Sequence, residues 1–71
     1  MKNYGQSFSE NLKALRLQKG LKQTDMANKL EISIMQYQRY EHAQSFPRFN
    51  DLIALADFFE VSLDYLVGRG K

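Results

Sequence analysis

Arg39 and Gln38 stand side by side, and each is open either to base recognition or to an ordinary solvated surface role, with a phosphate contact as a further use for the arginine. A guanidinium can donate two hydrogen bonds to the edge of a guanine, and a carboxamide can pair with the edge of an adenine. Both lie outside the stripe of Tyr37 and Tyr40, which reads as the inner face of the same helix. Lys22 and Arg48, each near a helix start, are placed to face phosphates or to be solvated. Gln36 has two uses open to it: its amide either completes a helix cap with Ser33 or reaches DNA. Ile34 and Met35 are unusual, being apolar at outward positions. They can pack on thymine methyl groups, form a protein-binding face, or send one side chain into the core. Tyr37, Tyr40 and Phe49 read as core or semi-core aromatics rather than stacking platforms. His42, the only histidine, has no acid or nucleophile at an informative spacing. There is no metal-ligand cluster, phosphate-cradling glycine loop or nucleophile–base pair in the sequence, so no catalysis, metal or cofactor is expected.

Helices must position these side chains. Pro47 is the only proline, and apolar residues recur at helical spacing in five short blocks. In the first, Phe8, Leu12 and Leu15 share a face, with Ser7 or Ser9 as its cap and Gly20 at its end. The second holds Met26, Ala27 and Leu30, with Leu21 just ahead and Asp25 where the helix dipole favours an anion. Lys22 is a poor cap for it. The third opens at Ser33, whose S-x-x-Q spacing to Gln36 has the form of a capping box, with Ile32 and Tyr37 as a hydrophobic staple. It runs to about His42. The fourth, after Pro47, buries Leu52, Leu55, Ala56 and Phe59. The fifth has Ser62 as cap, Val61 and Leu66 as staple and Gly68 as stop. The expectation is an all-α domain over residues 7–68 with flexible ends at 1–6 and 69–71. Within it, residues 23–41 form two short helices joined by a turn at Glu31, Ile32 and Ser33. That is the arrangement that lets one helix lie in a major groove while the other braces it.

At 71 residues the chain is one domain, near the lower size for independent folding. It has no cysteine, so stability must come from helix packing, with or without a dimer. No apolar run approaches the roughly 20 residues of a membrane span, so a cytoplasmic protein without membrane partners is expected. The net charge of +2 is unevenly spread. Residues 1–50 carry eight Lys/Arg against four Asp/Glu, and residues 51–71 two against four. A basic front half suits a polyanionic partner.

The string Leu12-x-x-Leu15-Arg16, Gly20-Leu21-x-Gln23, Met26-Ala27-x-x-Leu30, Ile32-Ser33, Tyr37-x-x-Tyr40-Glu41 and Pro47 resembles the lambda-repressor-like (Cro/CI, or XRE) helix-turn-helix family. So does the closing Leu52-x-x-Leu55-Ala56 with the stretch from Val61 to Leu66. The resemblance implies a five-helix domain that binds double-stranded operator DNA as a homodimer and controls transcription. It implies that Gln23 binds a backbone phosphate and braces the third helix, and that Ile34, Met35, Gln36, Gln38 and Arg39 are its variable outward positions. It implies a structural ion pair between Arg16 and Glu41, and a grip on the sugar-phosphate backbone by Pro47, Arg48, Phe49 and Asn50. Phe58, Tyr65 and Val67 exceed what a small core needs. Because the family often pairs through its fifth helix, they are dimer-face candidates, the alternative being that they close the monomer core. Glu31, Ala43 and Glu60 stand where the family often has glycine, and a non-glycine residue in the left-handed conformation costs about 1 kcal/mol. Two functions follow from different classes: a transcriptional regulator, by expectation a repressor, or a protein-interaction module such as an antitoxin or anti-repressor.

Overall fold

A computed structural model describes residues 3–69. The described residues form five helices and no strand: α1 (Tyr4–Gln18), α2 (Gln23–Leu30), α3 (Ile34–Glu41), α4 (Phe49–Phe59) and α5 (Leu63–Val67). Helix α1 packs against α5 and α3, α2 against α3, and α4 against α5. Phe8, Leu12 and Leu15 of α1 meet Met26 and Ala27 of α2, Tyr37 and Tyr40 of α3, Leu55, Ala56 and Phe59 of α4, and Leu66 of α5 in one core. None of the helices is long and apolar enough to cross a membrane among the described residues.

The helix ends follow from local chemistry, with two corrections. Helix α1 begins at Tyr4, ahead of the expected boundary at residue 7, because Asn3 is the cap: its side chain accepts from the Gln6 N–H at 3.0 Å. Ser9 is instead buried, and its hydroxyl donates to the Tyr40 carbonyl at 2.6 Å, tying α1 to α3. Of the expected loose ends, Tyr4 to Gln6 are helical and the Arg69 N–H is bonded to the Asp64 carbonyl at 2.8 Å. Residues 1, 2, 70 and 71 lie outside the described set. The second correction concerns Gln36. Ser33 Oγ accepts from the Gln36 N–H at 3.1 Å, but the Gln36 amide does not return to Ser33; it donates to Ser45 Oγ at 3.1 Å. Only half of the capping box forms. Helix α2 shows the opposite half: the lysine side chain at the cap has no acceptor, but Asp25 Oδ2 accepts the Lys22 N–H at 2.8 Å.

Three helices end on side-chain-bearing residues in the left-handed region. Glu31 has φ 59°, Glu60 φ 57° and, one residue past the His42 cap of α3, Ala43 has φ 58°. The following N–H groups reach back to carbonyls that would otherwise be orphaned, Ile32 to Ala27 at 3.0 Å and Val61 to Ala56 at 3.0 Å. Gly68, at φ 77°, needs glycine twice over, because a Cβ there would stand 2.5 Å from that of Ser7.

Candidate nucleic-acid interface

The turn of Glu31, Ile32 and Ser33 between α2 and α3 is short, and Ile32 is packed on the core together with Leu30. Tyr37 and Tyr40 anchor the inner face of α3, both buried, with their rings edge to face at 6.4 Å. With that face fixed, the remaining side chains of α3 must lie outward or at its margins.

The inner margin is polar. Arg16 Nε donates to Glu41 Oε2 at 2.6 Å and its Nη2 to Oε1 at 3.2 Å, while Nη1 donates to the Leu21 carbonyl at 2.9 Å. The side chains are only 8% and 2% exposed, so the pair is desolvated. The Tyr37 hydroxyl also donates to Glu41 Oε2, and Gln23 Nε2 donates to Oε1 at 3.2 Å. Four donors therefore occupy the four lone-pair sites of one carboxylate. From Gln23 the chain continues outward: its Oε1 accepts from Gln38 Nε2 at 3.1 Å. Burial works to raise the Glu41 carboxyl, but hydrogen bonds from Arg16, Tyr37 and Gln23 outweigh it and hold the group below the usual carboxylate value. The bond to Glu41 raises the Arg16 guanidinium further. Burial, reinforced by Glu41, pushes the Tyr37 hydroxyl well up, so it keeps its proton and stays a donor.

The outer face of α3 differs from a polar reading surface. Ile34 is 42% exposed and Met35 62%, so neither turns into the core, and Arg39 is exposed beside them. Gln36 and Gln38 are half-buried and engaged, with Ser45 and Gln23 respectively. The exposed ends of neighbouring elements supply Lys22 at the cap of α2, Arg48 at the cap of α4 and Asn50 in the first turn of α4. Phe49 corrects the semi-core reading: at 72% exposure it is the most exposed large apolar side chain among the described residues. It opens α4, where side chains of the first turn have no preceding turn to pack on.

Among the dimer-face candidates, only Tyr65 is openly exposed. Phe58 has a use inside the monomer: it lies edge to face on Phe59 at 5.0 Å, with Lys29 Nζ 4.4 Å and Lys19 Nζ 5.1 Å from its ring centroid. Val67 lines an open apolar groove of about 290 Å³ with Tyr4, Phe46, Pro47 and Leu52.

Sequence reasoning missed two roles. The Tyr37 hydroxyl belongs to the polar network as well as to the core, a role signalled by its i,i+4 spacing to Glu41. Ser45 as partner of Gln36 had no local signal, since the bond depends on the path of the loop after α3.

A helix-turn-helix family model matches residues 12–66. The chain therefore belongs to the lambda-repressor-like, XRE-type helix-turn-helix family of DNA-binding transcriptional regulators. It is 47% identical over 60 residues to the uncharacterised HTH-type transcriptional regulator YqaE of Bacillus subtilis, covering 84% of this chain and 52% of the relative. It is 38% identical over 47 residues to the cryptic phage CTXphi transcriptional repressor RstR of Vibrio cholerae, covering 66% of this chain and 42% of the relative. The chain thus spans about half the length of these curated relatives. No solved structure matches it.

Proposed function

We propose that the chain represses transcription by binding a two-fold DNA operator as a homodimer, with α3 in the major groove. The observation that carries this reading is the packed α2–α3 pair with Ile34, Met35 and Arg39 exposed on its outer face, and exposed Lys22, Arg48 and Asn50 at neighbouring helix starts. Arg39 bonds a guanine edge, Ile34 or Met35 packs on thymine methyls, and the second N–H of Gln23 faces a phosphate. Gln36 supports the loop at Ser45 and contacts DNA only with what its amide has left. Phe49 lies against the sugar-phosphate backbone beside Arg48 and Asn50. Two copies, paired through Tyr65 and the groove lined by Val67, bridge half-sites about 34 Å apart. Phe58, roofed by two lysines, contributes to the monomer instead. The site of action is the cytoplasm, on DNA.

In vitro selection from random duplex tests this reading, and should return a two-fold site. Arg39→Ala should then weaken binding to it by roughly 1–3 kcal/mol and relax preference at one base pair, with the fold intact. No binding to any duplex at low salt, where phosphate contacts are strongest, refutes the reading. The exposed Ile34, Met35 and Phe49 favour one competitor, a protein-binding module of the antitoxin or anti-repressor kind. On that reading Met35→Asp abolishes a protein complex and Arg39→Ala changes nothing.

A further inference from the structure

We propose that Glu41 is a specificity-positioning residue: acting through Gln23, it fixes which way the Gln38 carboxamide faces and so makes Gln38 a reader of adenine rather than guanine. The inference rests on the DNA-binding reading above and adds Gln38, an outward position of α3, to its base contacts.

A primary amide has a donor end and an acceptor end of nearly the same shape, so its direction is set by its neighbours. Here one neighbour leaves no choice. Glu41 is an ionised carboxylate, held so by Arg16, and it can only accept. Gln23 must therefore turn its NH₂ toward Glu41 and its Oε1 away. That oxygen can only accept, so Gln38 must turn its NH₂ toward Gln23. One N–H of Gln38 is consumed, and one N–H and the carbonyl oxygen remain. A donor beside an acceptor is what the adenine edge requires, since its N7 accepts and its N6 donates. Guanine presents two acceptors, N7 and O6, and the free oxygen of Gln38 would oppose one of them.

The direction is reversible in one substitution. In Glu41→Gln, Arg16 Nε and the Tyr37 hydroxyl claim the new carbonyl oxygen, and the new NH₂ takes the position of Oε1, where Arg16 Nη2 gives up its bond. It then donates to Gln23, which turns over, and Gln38 turns over in response. Gln38 now offers two N–H groups to the groove, the pattern that suits guanine. Gln23→Met removes the relay instead, and leaves Gln38 free to face either way while the Arg16–Glu41 pair stays in place.

The test uses the full chain and the duplex site recovered by selection. Gln38→Ala first identifies the base pair that Gln38 reads, as the one where discrimination is lost. Binding is then measured to that site and to its single A-to-G variant. Wild type should prefer adenine by roughly five- to 150-fold, and in both variants the preference should fall to within about threefold, or invert in Glu41→Gln. A purely structural loss lowers affinity for both duplexes alike and leaves their ratio standing. Circular dichroism checks each variant for folding, and if Glu41→Gln does not fold, Gln23→Met decides alone. If the folded variants keep the wild-type ratio while Gln38→Ala abolishes it, the relay is overturned and the DNA-binding reading survives. If Gln38→Ala changes no base preference, or no duplex binds, the placement of Gln38 on DNA fails and the inference with it.

Discussion

Replacing Arg16 by Met should reverse the sign of this protein's acid dependence. In the wild type Glu41 is held below its ordinary value, so the folded state binds fewer protons than the unfolded one around that range. Stability from this group is then fully present above the unfolded value of about 4.3 and is lost as pH falls through the folded one. Arg16→Met removes the cation and two hydrogen bonds but leaves a carboxylate whose side chain is 2% exposed. Burial, which already works to raise the carboxyl, then meets only Tyr37 and Gln23. The folded value moves above the unfolded one, the folded state binds more protons, and stability falls as pH rises through the window between them. Breaking a buried pair from one side costs about 3–5 kcal/mol. A chain of this length has a total stability on the order of 4–10 kcal/mol. The variant should therefore be marginal at neutral pH and firmer near pH ~4, where the carboxyl can take a proton. Urea titrations followed by far-UV circular dichroism, repeated across that range for both proteins, read the two slopes directly. A loss under about 1 kcal/mol, with the wild-type pH slope retained, would mean that the pair behaves as a solvent-exposed one. The desolvated network described above would then be wrong.

Gly68→Ala should cost more than Gly20→Ala, although both glycines have positive φ. At Gly20 the added methyl meets open space, so the loss is the roughly 1 kcal/mol of the left-handed conformation, whereas at Gly68 it collides with Ser7. Thermal melts of the two variants should rank them in that order. Glu60→Gly should raise stability by up to about 1 kcal/mol, because it removes a strained left-handed glutamate at an exposed position. A lowered denaturation midpoint would show that the entropy of the unfolded glycine outweighs the relief. Ser9→Ala should cost about 1 kcal/mol by removing the buried bond to the Tyr40 carbonyl, and a urea midpoint unchanged from wild type would contradict it.

Much of the framework was legible because it is local. Ser33 and Ser62 announce two helix starts within four residues of sequence, and the staple residues Ile32 and Val61 lie where their caps require them. The left-handed Glu31, Ala43 and Glu60 were legible through the resemblance, which marks where glycine usually stands. The start of α1 was harder. Its apolar pattern begins at Phe8, while its cap is Asn3, so the first turn carries no buried residue to reveal it. The polar contacts of α3 were the least legible. Gln36 has a proper cap spacing, yet Ser45 takes its amide, because a loop brought close by tertiary packing offers an acceptor that the sequence does not advertise. Phe49 likewise reads as core by composition and is exposed by position.

On the proposed relay, the network beneath α3 supplies direction as well as stability. A buried ion pair by itself gives little net stabilisation, and apolar residues in the place of Arg16 and Glu41 would leave the Tyr37 hydroxyl and the Leu21 carbonyl without their partners. They could not orient an amide. A hydrocarbon at position 41 would leave Gln23 free to face either way, and Gln38 with it. A glutamine that is free in solution also gives up as much as about 1.5–2 kcal/mol of rotamer freedom when it is ordered at an interface. Gln38 has surrendered much of that freedom already, in the folding of the monomer. On the proposed relay, the same network sets what Gln38 recognises and lowers what recognition costs. Arg39, Ile34 and Met35 are exposed and no such network holds them, so on the same reading they bear the full ordering cost at binding. On that reading the strongest base discrimination should fall at the pair assigned to Gln38, whose fixed amide offers one donor–acceptor pattern, and the weakest at the pair assigned to Met35, which offers none.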